Sequence, residues 1–84
     1  MQEQIYVIDT TNVKRVTDVA KGRAATILAL ESRLRENQLV ITNLKTRDDI
    51  RQFLEGDGDG QITGFSRDYE MVFTIRPVSD SRYL

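Results

Sequence analysis

Four patterned segments in the second half of the chain constrain the fold more than any other feature of the sequence. They are a short apolar run, a capped amphipathic stretch and two apolar segments joined by a polar loop, at residues 39–44, 46–56, 61–66 and 69–76. The last segment alternates apolar and polar side chains, as a half-buried strand does. In order, these segments predict a strand, a helix and a β-hairpin.

The first half of the chain adds one strand and a long helical segment. Residues 5–10 open with a β-branched apolar run, and residue types that cap helices follow it. Apolar residues then recur at helical spacing to about Glu36, with Gly22 between two stripes. Either Gly22 is a left-handed cap and a second helix starts at Arg23, or one long helix tolerates the glycine at a cost of about 1 kcal/mol. We favour a continuous or kinked helix, because no proline or turn dipeptide accompanies the glycine.

Together, these segments predict one α+β domain that spans residues 1–84 in the order β-α-β-α-β-β. A strand that is reached through a helix usually pairs parallel to the strand before it, so we expect a mixed four-stranded sheet with its helices mainly on one face. Pro77 is expected to stop the last strand and to leave residues 77–84 as an exposed tail.

The second helix carries its own start, stop and core signals. Thr46 is expected to be its N-cap, with Asp49 at the third helical position, and Gly56 is expected to end it. Three apolar residues spaced at i, i+3 and i+4 should fill the core beneath the sheet: Ile50, Phe53 and Leu54.

The residue types that carry most protein chemistry are missing from the chain. It has no His, Cys or Trp, and therefore lacks the commonest general base, the strongest nucleophile and the usual zinc ligands. We expect a non-enzymatic protein without a cofactor or a bound metal. The absence of cysteine favours a reducing, cytoplasmic setting. No apolar run approaches membrane-spanning length, so we expect no membrane insertion.

The glycine-rich segment 56–62 resembles the centre of a calcium loop of the EF-hand type. Glu55, Asp57 and Asp59 would take the first, third and fifth positions of that loop, but the twelfth is Ser66, where the geometry needs a bidentate glutamate. The simpler interpretation, which we favour, is a turn between helix and strand with two solvated aspartates.

A cluster of basic residues surrounds Gly22. Its Gly-Arg-Ala segment resembles that of Alba-type nucleic-acid-binding proteins, which share the β-α-β-α-β-β order. The cluster would form the nucleic-acid face, whereas a solvated helix face is the simpler interpretation. With 12 basic and 13 acidic residues, the formal net charge of −1 argues against a whole-domain footprint for nucleic acid. The residues are Lys14, Arg15, Lys21 and Arg23.

The segment order and several residues resemble the core domain of SepF-like cell-division proteins. The corresponding stretches are a Val-Ile-Thr-Asn-Leu run, a helix ending in Phe-Leu-Glu-Gly, a Gly-Asp-Gly segment and a closing Thr-Ile-Arg-Pro strand. The resemblance implies a scaffold that dimerises and binds the C-terminal tail of the tubulin-like division protein FtsZ. The amphipathic targeting helix and flexible linker of that family have no counterpart here, so we expect no tethering to membrane by this chain alone.

The leading hypothesis is therefore a non-enzymatic protein-interaction domain that forms a homo-oligomer, in the manner of a cell-division scaffold. Self-association is expected through the C-terminal hairpin or the long helix, because an unpaired strand edge can accept another chain. The alternatives are an Alba-like nucleic-acid-binding protein and a small accessory or viral inhibitor protein that binds a larger machine. The expected interface residues are Phe65, Tyr69, Val72 and Thr74.

Overall fold

A four-stranded antiparallel sheet forms the frame of the molecule. The computed structural model describes residues 4–11, 16–56 and 58–79. Within them the sheet has the order β2-β1-β4-β3, and each neighbouring pair is antiparallel. The α+β class and the four-stranded sheet are confirmed, whereas the predicted element order is wrong. The elements are β1 (Ile5–Thr11), β2 (Val16–Lys21), α1 (Gly22–Glu36), α2 (Leu44–Glu55), β3 (Gly60–Phe65) and β4 (Glu70–Val78).

The first half of the predicted long helix is the strand β2. It pairs with β1 in a register that runs from Ile5 opposite Lys21 to Thr10 opposite Val16. The β-branched residues that dominate it suit a pleated surface, although their spacing also fits a helix. Gly22 has a φ of 80° and separates β2 from α1. The continuous helix is therefore wrong, whereas a left-handed Gly22 followed by a helix to Glu36 is correct.

Residues 39–43 of the predicted strand instead lie in the connection between the two helices, and Leu44 is the first residue of α2. Gln38, with a φ of 59°, ends α1 in a Schellman motif. Its N–H donates to the carbonyl of Arg35 at 3.0 Å, and the N–H of Leu39 donates to that of Leu34 at 2.8 Å. This motif turns the chain and buries Leu39 in the core. The parallel strand pairing expected for this segment is therefore wrong. Its residues form no strand, and Leu39 packs in the core.

The helix predicted after residue 46 is present, but its N-cap is Asn43. The Asn43 side chain accepts hydrogen bonds from the backbone N–H groups of Lys45 and Thr46, at 2.9 and 3.4 Å. Thr46 is not the cap, because the helix already begins at Leu44. Its hydroxyl donates to the Thr63 carbonyl of β3 instead. Gly56 ends the helix as expected.

The C-terminal hairpin is confirmed, with Gly60 opposite Ile75 at one end and Phe65 opposite Glu70 at the other. The expectation that Pro77 stops the strand is wrong, since β4 extends to Val78. Backbone groups alternate in direction along β4, and those of Pro77 are directed toward the β3 side. The ladder with β3 does not extend as far as Pro77, so no bond is lost because proline has no N–H. Residues 80–84 of the expected tail lie outside the described residues.

The core lies between one face of the sheet and the two helices. Phe53 of α2 is buried and contacts Tyr6 of β1, with ring centroids 5.2 Å apart and an interplanar angle of 79°. Gly64 leaves room for the close packing of Leu34, near the end of α1, and of Leu39, just after it. A Cβ at residue 64 would lie 2.7 Å from side-chain atoms of both leucines. The remaining members of the cluster come from three strands and α1: Ile8, Leu30, Ile62, Met71, Phe73 and Ile75.

In the described part of the chain, neither helix has the length and apolar character that crossing a membrane requires.

Candidate functional site

The sheet face opposite the helices carries most of the residues predicted for an interface. The strand register places Phe65, Val72 and Thr74 on this outer face, and Val72 keeps 37% of its surface exposed. Tyr69 precedes β4, and its hydroxyl donates to the Asn37 carbonyl at the end of α1, at 2.6 Å. At the other end of the face, Val19 is 40% exposed. The outer face is therefore polar with separate apolar positions.

The backbone edge of β3 is covered. The N–H of Thr63 points away from β4 and donates to the Asp49 carboxylate at 3.0 Å. The Thr63 carbonyl accepts from the Thr46 hydroxyl at 2.5 Å, and the Phe65 carbonyl accepts from the Val40 N–H at 2.7 Å. Side chains of α2 and the connection before it thus occupy the groups that another strand would need.

Asp49 is held in place for this role. Its side chain is 4% exposed, and its second carboxylate oxygen accepts from the Lys45 ammonium at 2.5 Å. The hydrogen bond to Asp49 raises the pKa of Lys45 above its ordinary value. A buried carboxylate needs such partners, because an unpaired charge inside a protein is costly. The sequence places Asp49 near the start of the helix but carries no signal of its bond to the sheet edge.

The edge of β2 at the other end of the sheet is open. The N–H of Gly22 donates to the carbonyl of Gln4, the residue before β1, at 2.7 Å. This bond identifies which residues of β2 direct their backbone groups toward β1. Because backbone groups alternate in direction along a strand, those of Thr17, Val19 and Lys21 point away from the sheet. Among the residues that the structure describes, none donates to or accepts from these groups.

One ion pair joins α1 to the inner face of β2. Arg33 contacts both oxygens of Asp18, with its Nε at 2.7 Å and its Nη2 at 2.9 Å, and the pair is partly buried. The bond to Asp18 raises the pKa of Arg33 further above its ordinary value. The carboxylate at the centre of the open edge is therefore neutralised from within its own domain.

A groove lies along the outer side of α2, the helix that packs mainly on β3. It has a volume of about 360 Å³, and its wall opposite the helix consists of Ile41 and Thr42. Leu54 is 42% exposed there, although its helical spacing predicted a place in the core. The side chains that α2 contributes are Arg47, Ile50, Arg51, Leu54 and Glu55.

The structure does not assemble the predicted nucleic-acid face as a helix surface. Lys21 is exposed at the end of β2, and Arg23 lies in the first turn of α1. Arg23 is engaged internally, since its Nε donates to the Tyr6 hydroxyl at 3.2 Å and its Nη1 to the Leu54 carbonyl at 2.8 Å. Lys14 and Arg15 lie outside the described residues.

The residues of the calcium-like loop are only partly described. Glu55 is the last residue of α2, Asp59 is exposed before β3, and Asp57 lies outside the described residues. In residues 4–11, 16–56 and 58–79, no three Asp or Glu side chains converge as a metal site would require.

No family model, no curated protein and no solved structure matches this chain. The resemblance to SepF-like proteins therefore remains a hypothesis that rests on the quoted residues. One of its corresponding strands, at residues 39–44, lies in this structure in the connection between the helices and in the first residue of α2.

Proposed function

We propose that this chain is a non-enzymatic protein-interaction domain that self-associates by pairing the β2 strands of two copies. The observation that carries the proposal is the contrast between the two edges of the sheet. The edge of β3 is occupied by Thr46, Asp49 and Val40, whereas the edge of β2 presents unpaired backbone groups in the described structure. An unprotected edge strand is a template for a further strand.

The sequence of β2 selects a second copy as the occupant. The backbone groups that bond between the two copies must be those of Thr17, Val19 and Lys21, because these point away from the sheet. Two antiparallel, two-fold symmetric registers then pair most of β2, one centred on residue 18 and the other on residue 19. The first would place the two Asp18 side chains opposite each other, each already bonded to Arg33 of its own copy, and would pair the apolar Val19 with the polar Thr17. The second pairs Val19 with its symmetry mate and Thr17 with Lys21, and we propose this register.

The side chains around β2 complement that register. Pairing the two Val19 side chains would cover an apolar residue that is 40% exposed in the single domain. Lys21 would approach Thr17 of the other copy, whose hydroxyl donates to the carboxylate of Asp9 at 2.8 Å. An ammonium near that carboxylate contributes a favourable charge interaction across the dimer.

Sedimentation analysis of two matched variants tests the proposal. Val19→Asp places two carboxylates opposite each other and should weaken the dimer by about tenfold or more. Val72→Asp makes the same change on the same face, at a residue of similar exposure that lies in the interior strand β4. It should leave the dimer intact.

Two results would overturn the β2 dimer. One is a wild-type chain that stays monomeric at high concentration. The other is a dimer that Val72→Asp dissociates and Val19→Asp does not, which would place the interface on the outer face of the hairpin, as the sequence alone suggests. Circular dichroism of both variants confirms that each keeps its fold.

The resemblance to SepF-like proteins supports a more specific form of this function, a cytoplasmic cell-division scaffold that binds the FtsZ tail. Titration of the dimer with a synthetic FtsZ tail peptide tests it, and absence of binding removes that partner. We do not propose nucleic acid as the partner, because the Nε and Nη1 groups of Arg23 already bond within the domain.

A further inference from the structure

We propose that the groove along α2 binds an extended protein segment in which an apolar side chain lies between a carboxylate and a basic group. This surface is distinct from the backbone edge of β2, because α2 packs mainly on β3, the opposite edge strand of the sheet. The last turn of α2 approaches the start of α1, where Arg23 donates to the Leu54 carbonyl at 2.8 Å. The proposal adds a heterologous partner to the self-association described above and does not depend on it.

The apolar side chains that line the groove supply the apolar part of the recognition. Ile41 and Ile50 pack on the core from outside and are only partly buried, and Leu54 is 42% exposed. An apolar side chain that enters a groove of about 360 Å³ would remove these surfaces from water.

The charges along α2 give the groove a direction. Arg47 is exposed, and among the described residues its side chain has no ion pair or hydrogen bond. Arg51 is already paired with Asp48. Glu55 lies eight residues beyond Arg47 on the helix, which corresponds to about 12 Å. A carboxylate of the partner therefore fits the Arg47 end, and a basic group fits the Glu55 end.

The shape of the groove favours an extended segment over a helix. Among the described residues, the wall opposite α2 consists of Ile41 and Thr42, which is too short to support a helix along its length. An extended chain spans the distance from Arg47 to Glu55 in roughly three to four residues. We therefore expect the acidic and basic groups of the partner to be separated by about that number of residues, with the apolar side chain between them.

Selection from a phage-displayed library of random peptides tests the proposal without a known partner. The wild-type domain should select an acidic residue, an apolar residue and then a basic residue at the spacing given above. Arg47→Glu should abolish the preference for the acidic residue and weaken binding of a selected peptide by about tenfold or more. The substitution adds a negative charge near the start of α2, where the helix dipole tolerates it, so the fold should survive.

Arg67→Glu is the matched control, because Arg67 is exposed in the hairpin loop, away from the groove. It should leave selection and binding unchanged. In a titration followed by nuclear magnetic resonance, a selected peptide should shift the amide signals of residues 41–42 and 47–55. Val19→Asp should bind the same peptide with unchanged affinity, which separates this site from the dimer.

Three results would overturn the groove as a binding site. They are a selection without a consensus, a consensus that Arg47→Glu leaves unchanged, and signal shifts that fall outside the groove. A failure of the β2 dimer would not affect any of these measurements.

Discussion

The two edges of the sheet differ in what stands beside them. At β3, the side chains of Thr46 and Asp49 bond to the outward backbone groups of Thr63, so α2 takes the place of a neighbouring strand. At β2, α1 packs on the inner face through Asp18 and Arg33 and leaves the backbone edge free in the described structure. A helix can thus cover the face of a strand without protecting its edge.

The largest effect is expected from loss of the side chain that seats α2 on the sheet. Phe53 is 2% exposed and contacts Tyr6, so Phe53→Ala should cost about 3–5 kcal/mol of stability. A domain of this size has little stability to spare, and we expect it to unfold. Thermal denaturation measures the loss. Leu54→Ala, on the exposed side of the same helix, is the control and should cost far less.

If Phe53→Ala left the domain folded and nearly as stable, α2 would not be anchored as the structure describes. The protection of the β3 edge would then need another explanation.

A smaller effect should follow from uncovering β3. Asp49→Ala leaves the outward N–H of Thr63 without its acceptor and should cost about 1–3 kcal/mol. It also frees one outward donor of the β3 edge, although Thr46 and Val40 still occupy two carbonyls there, so sedimentation should detect some species larger than a dimer at high concentration. Asp59→Ala removes an exposed carboxylate close to β3 and should do neither. Asp49→Ala protein that assembles no further than wild type would show that Asp49 does not guard this edge.

The smallest effect concerns the turn that brings Val40 to the β3 edge. Gln38 holds a left-handed φ of 59°, which glycine adopts at lower cost. Gln38→Gly should therefore stabilise the domain by about 0.5–1 kcal/mol, measured by denaturant unfolding. Glu36→Gly, at the last residue of α1, should destabilise it instead, because it places glycine in a helical turn and removes the ion pair with Arg33. Destabilisation by Gln38→Gly would contradict the left-handed turn.

The parts of the fold that sequence predicts are those with one unambiguous period. The hairpin follows from the alternation in β4, and α2 follows from the spacing of Ile50 and Phe53. The segment around Val16 and Val19 fits both a strand and a helix, because it is too short for its period to decide. The segment forms a strand because antiparallel pairing with β1 provides hydrogen-bond partners for its backbone N–H and carbonyl groups.

Two further features depend on contacts that a sequence does not display. The apolar run after Gln38 has the composition of a strand, and glutamine is not a residue type that signals a left-handed turn. Asp49 has the position of a helix-dipole residue, and only the structure shows that its carboxylate reaches the edge of β3. The open edge of β2 could not be predicted either, because the segment is interpreted as a helix from its sequence and a helix has no strand edge.

Residue-resolved amide hydrogen exchange tests the contrast between the two edges most directly. Exchange should be recorded at one protein concentration below and one above the dissociation constant of the dimer, as measured by sedimentation. The amides of Thr17, Val19 and Lys21 should exchange freely in the dilute sample and become protected in the concentrated one, whereas the Thr63 amide should be protected in both. Equal protection of the Val19 amide at both concentrations, or free exchange in a sample that sedimentation shows to be dimeric, would contradict strand pairing at β2.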